Sequence, residues 1–333
     1  MLAIGLKQAK KYSKKPLLIA RSATNKKHDL YYVEEGILPC QNCVHDSPLE
    51  LLSKKEIFQL KRKYKVSARL LSTVEKCFAN SDDKIDLGAE CKSLSGKIFV
   101  EELEKKILDK LKKEIRVPAA NWLPFVDPGL AKRFNQHIFL TGASGVGKST
   151  LVCDIIRENL PEATSWCFGP LISSDPAFKK LQKQLTKKRV KLVDSNKINQ
   201  PIDLREISGK GTSVMVLDDP DSMENENLKW ISDLASRALF HGRHVGCICF
   251  VIAHDAFSRK VRAIKTTTNE CVKSILFPHT ARHNSIKFMK NRLNMSAEVI
   301  KQIMGFLKKD DRWMCIQNSH PCCVLTRTGC LLL

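Results

Sequence analysis

Apolar and polar residues follow two different rhythms along this chain, and the change comes near residue 131. Beyond it, short apolar runs alternate with amphipathic stretches of helical period, the pattern of an α/β sheet layered with helices. The runs predict strands over His137–Thr141, Thr164–Phe168, Ser213–Asp218, Val245–Ala253 and Val272–Phe277. The stretches between and after them predict helices over Lys148–Asn159, Pro176–Leu185, Asn227–Phe240, Ala281–Leu293 and Ala297–Leu307. Unbroken runs such as Val214-Met215-Val216-Leu217 fit a parallel sheet covered on both faces. Two short strands are expected near the end, at Trp313-Met314-Cys315-Ile316 and Cys323-Val324-Leu325-Thr326.

Before residue 131 the pattern is weaker. A hairpin is expected from Pro16-Leu17-Leu18-Ile19-Ala20 and Leu30-Tyr31-Tyr32-Val33, and a helical pattern runs from Ser53 to about Cys77. The clearest amphipathic helix of this part is Phe99 to Ile115, with Val100, Leu103, Ile107, Leu111 and Ile115 on one stripe. Val117-Pro118 is expected to end it, and Pro124 and Pro128 mark a linker. The expected organisation is an α-rich or α+β module over 1–130 and an α/β domain over 131–333, with a mostly parallel central sheet flanked by helices.

Three segments carry chemistry. Gly142-Ala143-Ser144-Gly145-Val146-Gly147-Lys148-Ser149 follows the predicted strand Ile138-Phe139-Leu140 and opens the predicted helix at Ser149-Thr150. Glycines there let successive backbone N–H groups face the phosphates of ATP, and the helix N-terminus adds partial positive charge. Lys148 would reach the β- and γ-phosphates, and the Ser149 hydroxyl would ligate Mg²⁺. The alternative is a glycine-rich turn without a ligand. Downstream, Val214–Leu217 ends in Asp218-Asp219. Asp218 is expected to hold Mg²⁺ and Asp219 to orient or deprotonate the attacking water. The alternative is a capping pair before the Pro220 turn. A third segment, Phe240-His241-Gly242-Arg243-His244-Val245, leads into a strand ending at Ala253-His254. His254 is placed to sense the γ-phosphate, and Arg243 or Arg237 is a candidate arginine finger for a neighbouring subunit's nucleotide. The plainer readings are a solvent-facing strand end and salt-bridging arginines.

Composition sharpens this. The 333 residues carry 56 Lys plus Arg against 35 Asp plus Glu, a formal net charge of +21. Residues 1–130 hold 25 basic and 17 acidic side chains, and 131–333 hold 31 and 18, so the excesses are +8 and +13. The nucleotide-binding part is itself basic, which points to a polyanionic partner and away from a small-molecule kinase. Thirteen cysteines suggest a disulfide framework, but several sit in apolar runs (Cys153, Cys247, Cys249), where a reduced thiol packs as a small hydrophobe. Cys40-Gln41-Asn42-Cys43 with His45 is half a zinc site, for which Cys77 and Cys91 are distant second halves. Cys330-Leu331-Leu332-Leu333 satisfies a prenylation pattern, yet it continues a strand-like run and is expected to pack. No stretch approaches the roughly 18–20 apolar residues of a membrane span.

The spacing of glycine-rich loop, Leu217-Asp218-Asp219, long helix, Gly242-Arg243-His244 and apolar strand resembles the viral genome-packaging ATPases of the FtsK–HerA class. These occur in large DNA viruses, virophages and Maverick/Polinton-type elements. The likeness covers roughly residues 131–328, including Asn269 before a strand and Arg312-Trp313 and Pro321 near the end. His254 departs from it, standing where the class usually has Gln. The resemblance implies a RecA-like fold, ATP and Mg²⁺ as cofactors, and double-stranded DNA as substrate. It also implies a homo-oligomeric ring of five or six subunits and a capsid or portal partner. The implied setting is intracellular, in the host nucleus or a cytoplasmic viral factory, or with the virion. Rival readings are a helicase or DNA-remodelling ATPase, and a nucleotide-gated DNA-binding assembly protein that does not hydrolyse ATP. Residues 1–130 carry no motif that identifies them.

Overall fold

The computed structural model describes residues 2–8, 17–22, 29–35, 52–67, 96, 98–100, 102–103, 106, 114–116, 122–128, 131–132, 135–198, 200–208, 211–223, 225–258, 269–319 and 322–333. It divides into two compact units, Met1–Ala120 with Thr328–Leu332, and Asn121–Arg327 with Leu333.

In the first unit, β1 (Leu2–Gln8), β2 (Leu17–Ser22) and β3 (Asp29–Glu35) form antiparallel pairs, β1 with β3 and β2 with β3. The expected hairpin is therefore present, and a further strand, β1, pairs with it along β3. Helix α1 (Lys54–Lys63) begins at a capping box in which Ser53 and Glu56 satisfy each other's backbone N–H groups. The helix ends at Lys63, with Tyr64 as its C-cap and Lys65 at positive φ, short of the pattern expected to run toward Cys77. Residues 68–77 lie outside the described residues, as do Cys40, Cys43 and His45 of the half zinc site and Cys91.

The helix expected to reach Ile115 does not. Residues 98–100, 102, 103 and 106 are helical, with Val100 and Leu103 buried, but Glu114–Arg116 is a strand, β4. It pairs antiparallel with β14 (Gly329–Leu332), Ile115 opposite Cys330. A stripe of helical period cannot reveal that its last apolar residue has found a strand partner more than two hundred positions away. Cys330 is fully buried in that pair, in line with packing of the tail.

The second unit holds the short β5 (Trp122–Pro124) and a large sheet of which β5 is not a member; the first strand of that sheet in this unit is β6 (Ile138–Thr141). Next come α2 (Lys148–Asn159), β7 (Thr164–Gly169), α3 (Pro176–Leu185), β8 (Val190–Asp194), α4 (Leu204–Ile207) and β9 (Ser213–Asp218). There follow α5 (Asn225–Val245), β10 (Cys247–Ala253), β11 (Lys273–Leu276), α6 (Arg282–Asn291), α7 (Ala297–Phe306), β12 (Met314–Gln317) and β13 (Cys323–Thr326). The strand order is β13-β12-β11-β6-β10-β9-β7-β8. The six from β11 to β8 run parallel, whereas β12 and β13 are antiparallel additions. Every residue of β9 and β10 is buried, which is why their sequences read as unbroken apolar runs. On the flanking layer, Phe288 of α6 stacks on Phe139 of β6, ring centroids 5.7 Å apart.

Two boundaries depart from expectation. Helix α5 continues through Gly242 to Val245 instead of stopping at Phe240. Glycine usually marks a helix end, but here the side chain is absent because the helix lies against its neighbours. A Cβ at Gly242 would stand 2.5 Å from the Cys247 carbonyl oxygen and 3.1 Å from the His137 ring. Strand β8, at the sheet edge, was not predicted: Lys191 and Asp194 break its apolar run, and only Val190 of its five residues is fully buried. Strand order, connectivity and the glycine-rich loop between β6 and α2 make this an α/β P-loop NTPase fold of RecA-like type.

Candidate nucleotide site

In an open parallel sheet the ligand site lies beyond the carboxyl ends of the strands. Here β6 delivers the loop 142–147, β9 delivers Asp218-Asp219 and β10 delivers His254. Because β10 lies between β6 and β9, His254 emerges between the loop and the acidic pair.

Sequence dictates the loop's shape. Gly145 (φ +75°) and Gly147 (φ +97°) occupy left-handed backbone that L side chains rarely adopt, and Gly147 precedes the first residue of α2. Gly142 is needed for space, since a Cβ there would lie 3.0 Å from the Phe277 ring. Ala143, Ser144 and Gly145 are exposed, Val146 and Ser149 half-buried and Thr150 exposed, so the loop presents an accessible rim above a buried Lys148. The Lys148 ammonium donates to the carbonyl oxygens of Gly142 and Ala143, each at 2.9 Å, and lies 3.1 Å from His254 Nδ1.

That last contact fixes the tautomer. Opposite an ammonium, Nδ1 must accept, so the imidazole proton sits on Nε2, which is 2.9 Å from Asp219 Oδ2. Lys148, His254 and Asp219 therefore form one directed run of hydrogen bonds from the loop cation to the second carboxylate. Asp219 is held there at φ +48°, ψ +53°, a left-handed conformation costing about 1–3 kcal/mol in a non-glycine residue. Its N–H, donating to the Ile252 carbonyl of β10 at 2.9 Å, helps to fix it.

Charge in the site is unbalanced. Burial, and then the carboxylates of Asp219 and Asp175, push the Asp218 carboxyl up to about 7. Burial lowers Lys148, against the opposing pull of Asp219, Asp218 and Asp221. One oxygen each of Asp219 and Asp221 is buried with no hydrogen-bond partner. Hard oxygen donors in surplus, two of them unsatisfied, fit a Mg²⁺ ion that keeps most of its shell for phosphate and water. Consistently, no group of three or more His, Cys, Asp or Glu among the described residues could hold a metal by itself. Ser149 and Asp218 remain the residues that would hold it.

Several contributors escaped the motif reading. Gly169, at the end of β7, leaves room for Asp218: a Cβ there would stand 3.2 Å from both the Cβ and the carbonyl oxygen of Asp218. Asp175 raises Asp218 while capping α3 through the N–H groups of Ala177 and Phe178. Asp221 accepts from the Asp255 N–H at 3.2 Å, joining the turns after β9 and β10. Buried His137 accepts from the Cys249 N–H at 2.9 Å and donates to the Leu239 carbonyl at 3.1 Å, tying α5 to β10. Burial holds it neutral, down to about 4. None of these lies in a recognisable motif; they matter only through the neighbours that folding gives them.

The structure does not bring the arginines to this site. Helix α5 runs from the carboxyl ends of the strands back to their amino ends, so Arg243 sits four residues before β10 begins. The seven residues of β10 span about 20 Å, which separates Arg243 from its own chain's loop. Arg237 and Arg243 are both exposed and thus available to another molecule. Cys153, Cys247 and Cys249 are buried free thiols, as expected. Among the described residues no helix is long and apolar enough to cross a membrane.

No protein-family model matches the chain. In sequence it is similar to the uncharacterized protein V3 of Sputnik virophage, 24% identical over 233 residues that cover 66% of this chain and 85% of V3. Among solved structures, the cytoplasmic domain of the type VII secretion ATPase EccC of Thermomonospora curvata is 13% identical, with a TM-score of 0.40. That match covers 65% of this chain but only 28% of the solved EccC chain, so this chain spans under a third of that structure's length. The pCW3 conjugation coupling protein TcpA, solved as a monomer with ATPγS, is 15% identical with a TM-score of 0.36, covering 65% of each chain. A DnaB-like replicative helicase is 7% identical with a TM-score of 0.35, over 82% of this chain and 73% of the helicase.

Proposed function

We propose that this chain is an ATP-hydrolysing motor that moves double-stranded DNA and packages a viral or transposon genome into a capsid. The observation that carries the hydrolytic part is the hydrogen-bonded run from Lys148 through His254 to Asp219. A passive nucleotide switch needs the loop and one metal-binding carboxylate; it has no use for a second carboxylate held in a costly backbone conformation.

In this reading the loop amides and Lys148 bind the phosphates, and Ser149 and Asp218 hold Mg²⁺, which neutralises the surplus carboxylate and phosphate charge. Asp219 orients or deprotonates the attacking water, with His254 fixing its carboxylate. Arg243 or Arg237, remote from the chain's own site, acts on a neighbour's nucleotide, so the working unit is a homo-oligomeric ring. The charge of +21 supports contacts to DNA phosphates regardless of sequence. Similarity to a virophage protein and resemblance to the packaging class support the genome as cargo, with a capsid or portal protein as partner. The N-terminal module, up to about residue 130, serves docking or DNA contact.

The test is ATP turnover by the purified chain with and without long duplex DNA, at low and moderate salt. Stimulation by duplex that disappears in Lys148→Ala supports the motor. Nucleotide binding without turnover, once a ring has been shown to form, refutes it in favour of an assembly switch. Unwinding of forked duplexes would move the reading to a helicase.

A further inference from the structure

We infer that the outer face of α3 and the turn after it form a track for the duplex DNA phosphate backbone; this rests on the DNA-motor reading and gives that reading a place on the molecule. Residues 176–193 contain seven basic side chains and no acidic one. The whole of 131–333 has an excess of +13, so these eighteen residues supply +7 and the other 185 only +6. The charge of this part of the chain is concentrated, not diffuse.

Local structure explains why it faces outward. Pro176 at the first helical position and Asp175 as N-cap start α3, and Phe178 and Leu181 bury its inner stripe. Lys179, Lys180 and Lys183 then fall on the exposed side, where residues three or four apart lie about 5–6 Å from one another. Thr186, at φ +79°, turns the chain so that Lys187 and Lys188 continue the exposed row. None of these five lysines is ion-paired with a described residue. The one arginine of the segment is occupied, Arg189 donating to the Pro161 carbonyl and pairing with Glu162. Lys191 lies 3.9 Å from the centre of the Trp166 ring and is likewise engaged.

The free cations of this segment are thus all lysines, point charges that meet phosphates without the bidentate fork that reads a base edge. That suits a partner of any sequence. No large exposed apolar residue lies on α3, which argues against a membrane-anchoring surface.

The experiment measures binding of two unrelated 30-bp duplexes by fluorescence anisotropy across a salt series, using the full chain. One variant carries Gln at Lys179, Lys180, Lys183, Lys187 and Lys188. A second of equal charge carries Gln at Lys229, Lys290, Lys301, Lys308 and Lys309. Glutamine keeps helix propensity, and unchanged DNA-free ATPase activity shows that each variant is folded. The slope of log K against log salt should fall in magnitude by about 0.9 for each phosphate no longer neutralised, roughly 4–5 altogether, in the first variant only. Equal reductions in both variants, or wild-type binding by the first, overturn the track. If the first variant keeps DNA binding and loses binding to phosphatidylserine vesicles, the surface is a membrane site instead. A wild-type chain that binds no duplex refutes the motor itself, which separates that failure from failure of the track.

Discussion

Replacing Asp218 by Asn should stabilise the ligand-free chain while disabling it. Burial and neighbouring carboxylates raise Asp218 from an ordinary 3.8 to about 7, which corresponds to about 4 kcal/mol at 1.36 kcal/mol per pH unit. An acid whose folded-state value is raised stabilises the protein fully below the unfolded value, and that stability is lost as pH climbs to the folded value. The window here is about pH 4 to 7. At pH 5 about 2 kcal/mol is already lost, and above pH 8 the full 4. Asparagine has no charge to desolvate, so its advantage should grow by about 2–3 kcal/mol between pH 5 and 8.5. For a unit of this size that is a relative gain of roughly 5–10 °C in melting temperature. His137, held down to about 4, acts in the opposite sense by weakening the fold as pH falls below 6.5, but it is common to both proteins and cancels in the difference. Thermal unfolding of both proteins in chelator across this range is the assay. An advantage that stays constant, or shrinks toward alkaline pH, refutes the claim that Asp218 is a desolvated carboxylate awaiting a cation.

Three further outcomes are expected. Asp219→Asn should bind ATP with little change and lose roughly 10²-fold or more in single-turnover hydrolysis; normal turnover would remove Asp219 from the catalytic role. His254→Ala should lower kcat about 10- to 100-fold with KM nearly unchanged, and His254→Gln, which can both accept and donate, should recover most of that activity. If Gln is no better than Ala, hydrogen bonding through position 254 is not what matters. Gly242→Ala forces a Cβ to 2.5 Å from the Cys247 carbonyl and should cost about 1–3 kcal/mol in denaturant unfolding, with ATP affinity of the folded fraction unchanged.

Much of the fold was legible because its central strands are buried on both faces. Val214–Leu217 and Cys247–Ala253 could hardly have been anything else, and the loop between β6 and α2 announces itself through glycines at positive φ. What stayed hidden had a specific cause in each case. Strand β8 is an edge element whose exposed Lys191 breaks the apolar run. Strands β4 and β14 are short, and each is a strand only because the other is there, at the far end of the chain. Gly242 looked like a helix terminator because a close approach and a turn leave the same mark in sequence. At the site, Asp218, Asp219 and Lys148 were legible from spacing. Gly169, Asp175, Asp221 and His137 were not, since their contribution depends on elements that meet only in the folded chain.

The position of β10 has a consequence for coupling. Lys148 is now satisfied by two loop carbonyls and the His254 ring, and any phosphate it meets must compete with those three acceptors. If Lys148 turns away from Nδ1, His254 loses its donor on one side while still facing Asp219 on the other. The imidazole can then rotate, and its rotation alters the hydrogen bond that positions the Asp219 carboxylate. The loop cation and the second carboxylate are thus joined through one ring, and the ring reaches both because its strand lies between theirs. A glutamine there could bridge the same groups, its amide oxygen accepting from one and its amide nitrogen donating to the other. The histidine therefore ties the phosphate-binding lysine to the placement of the second carboxylate, so that what happens at one is felt at the other.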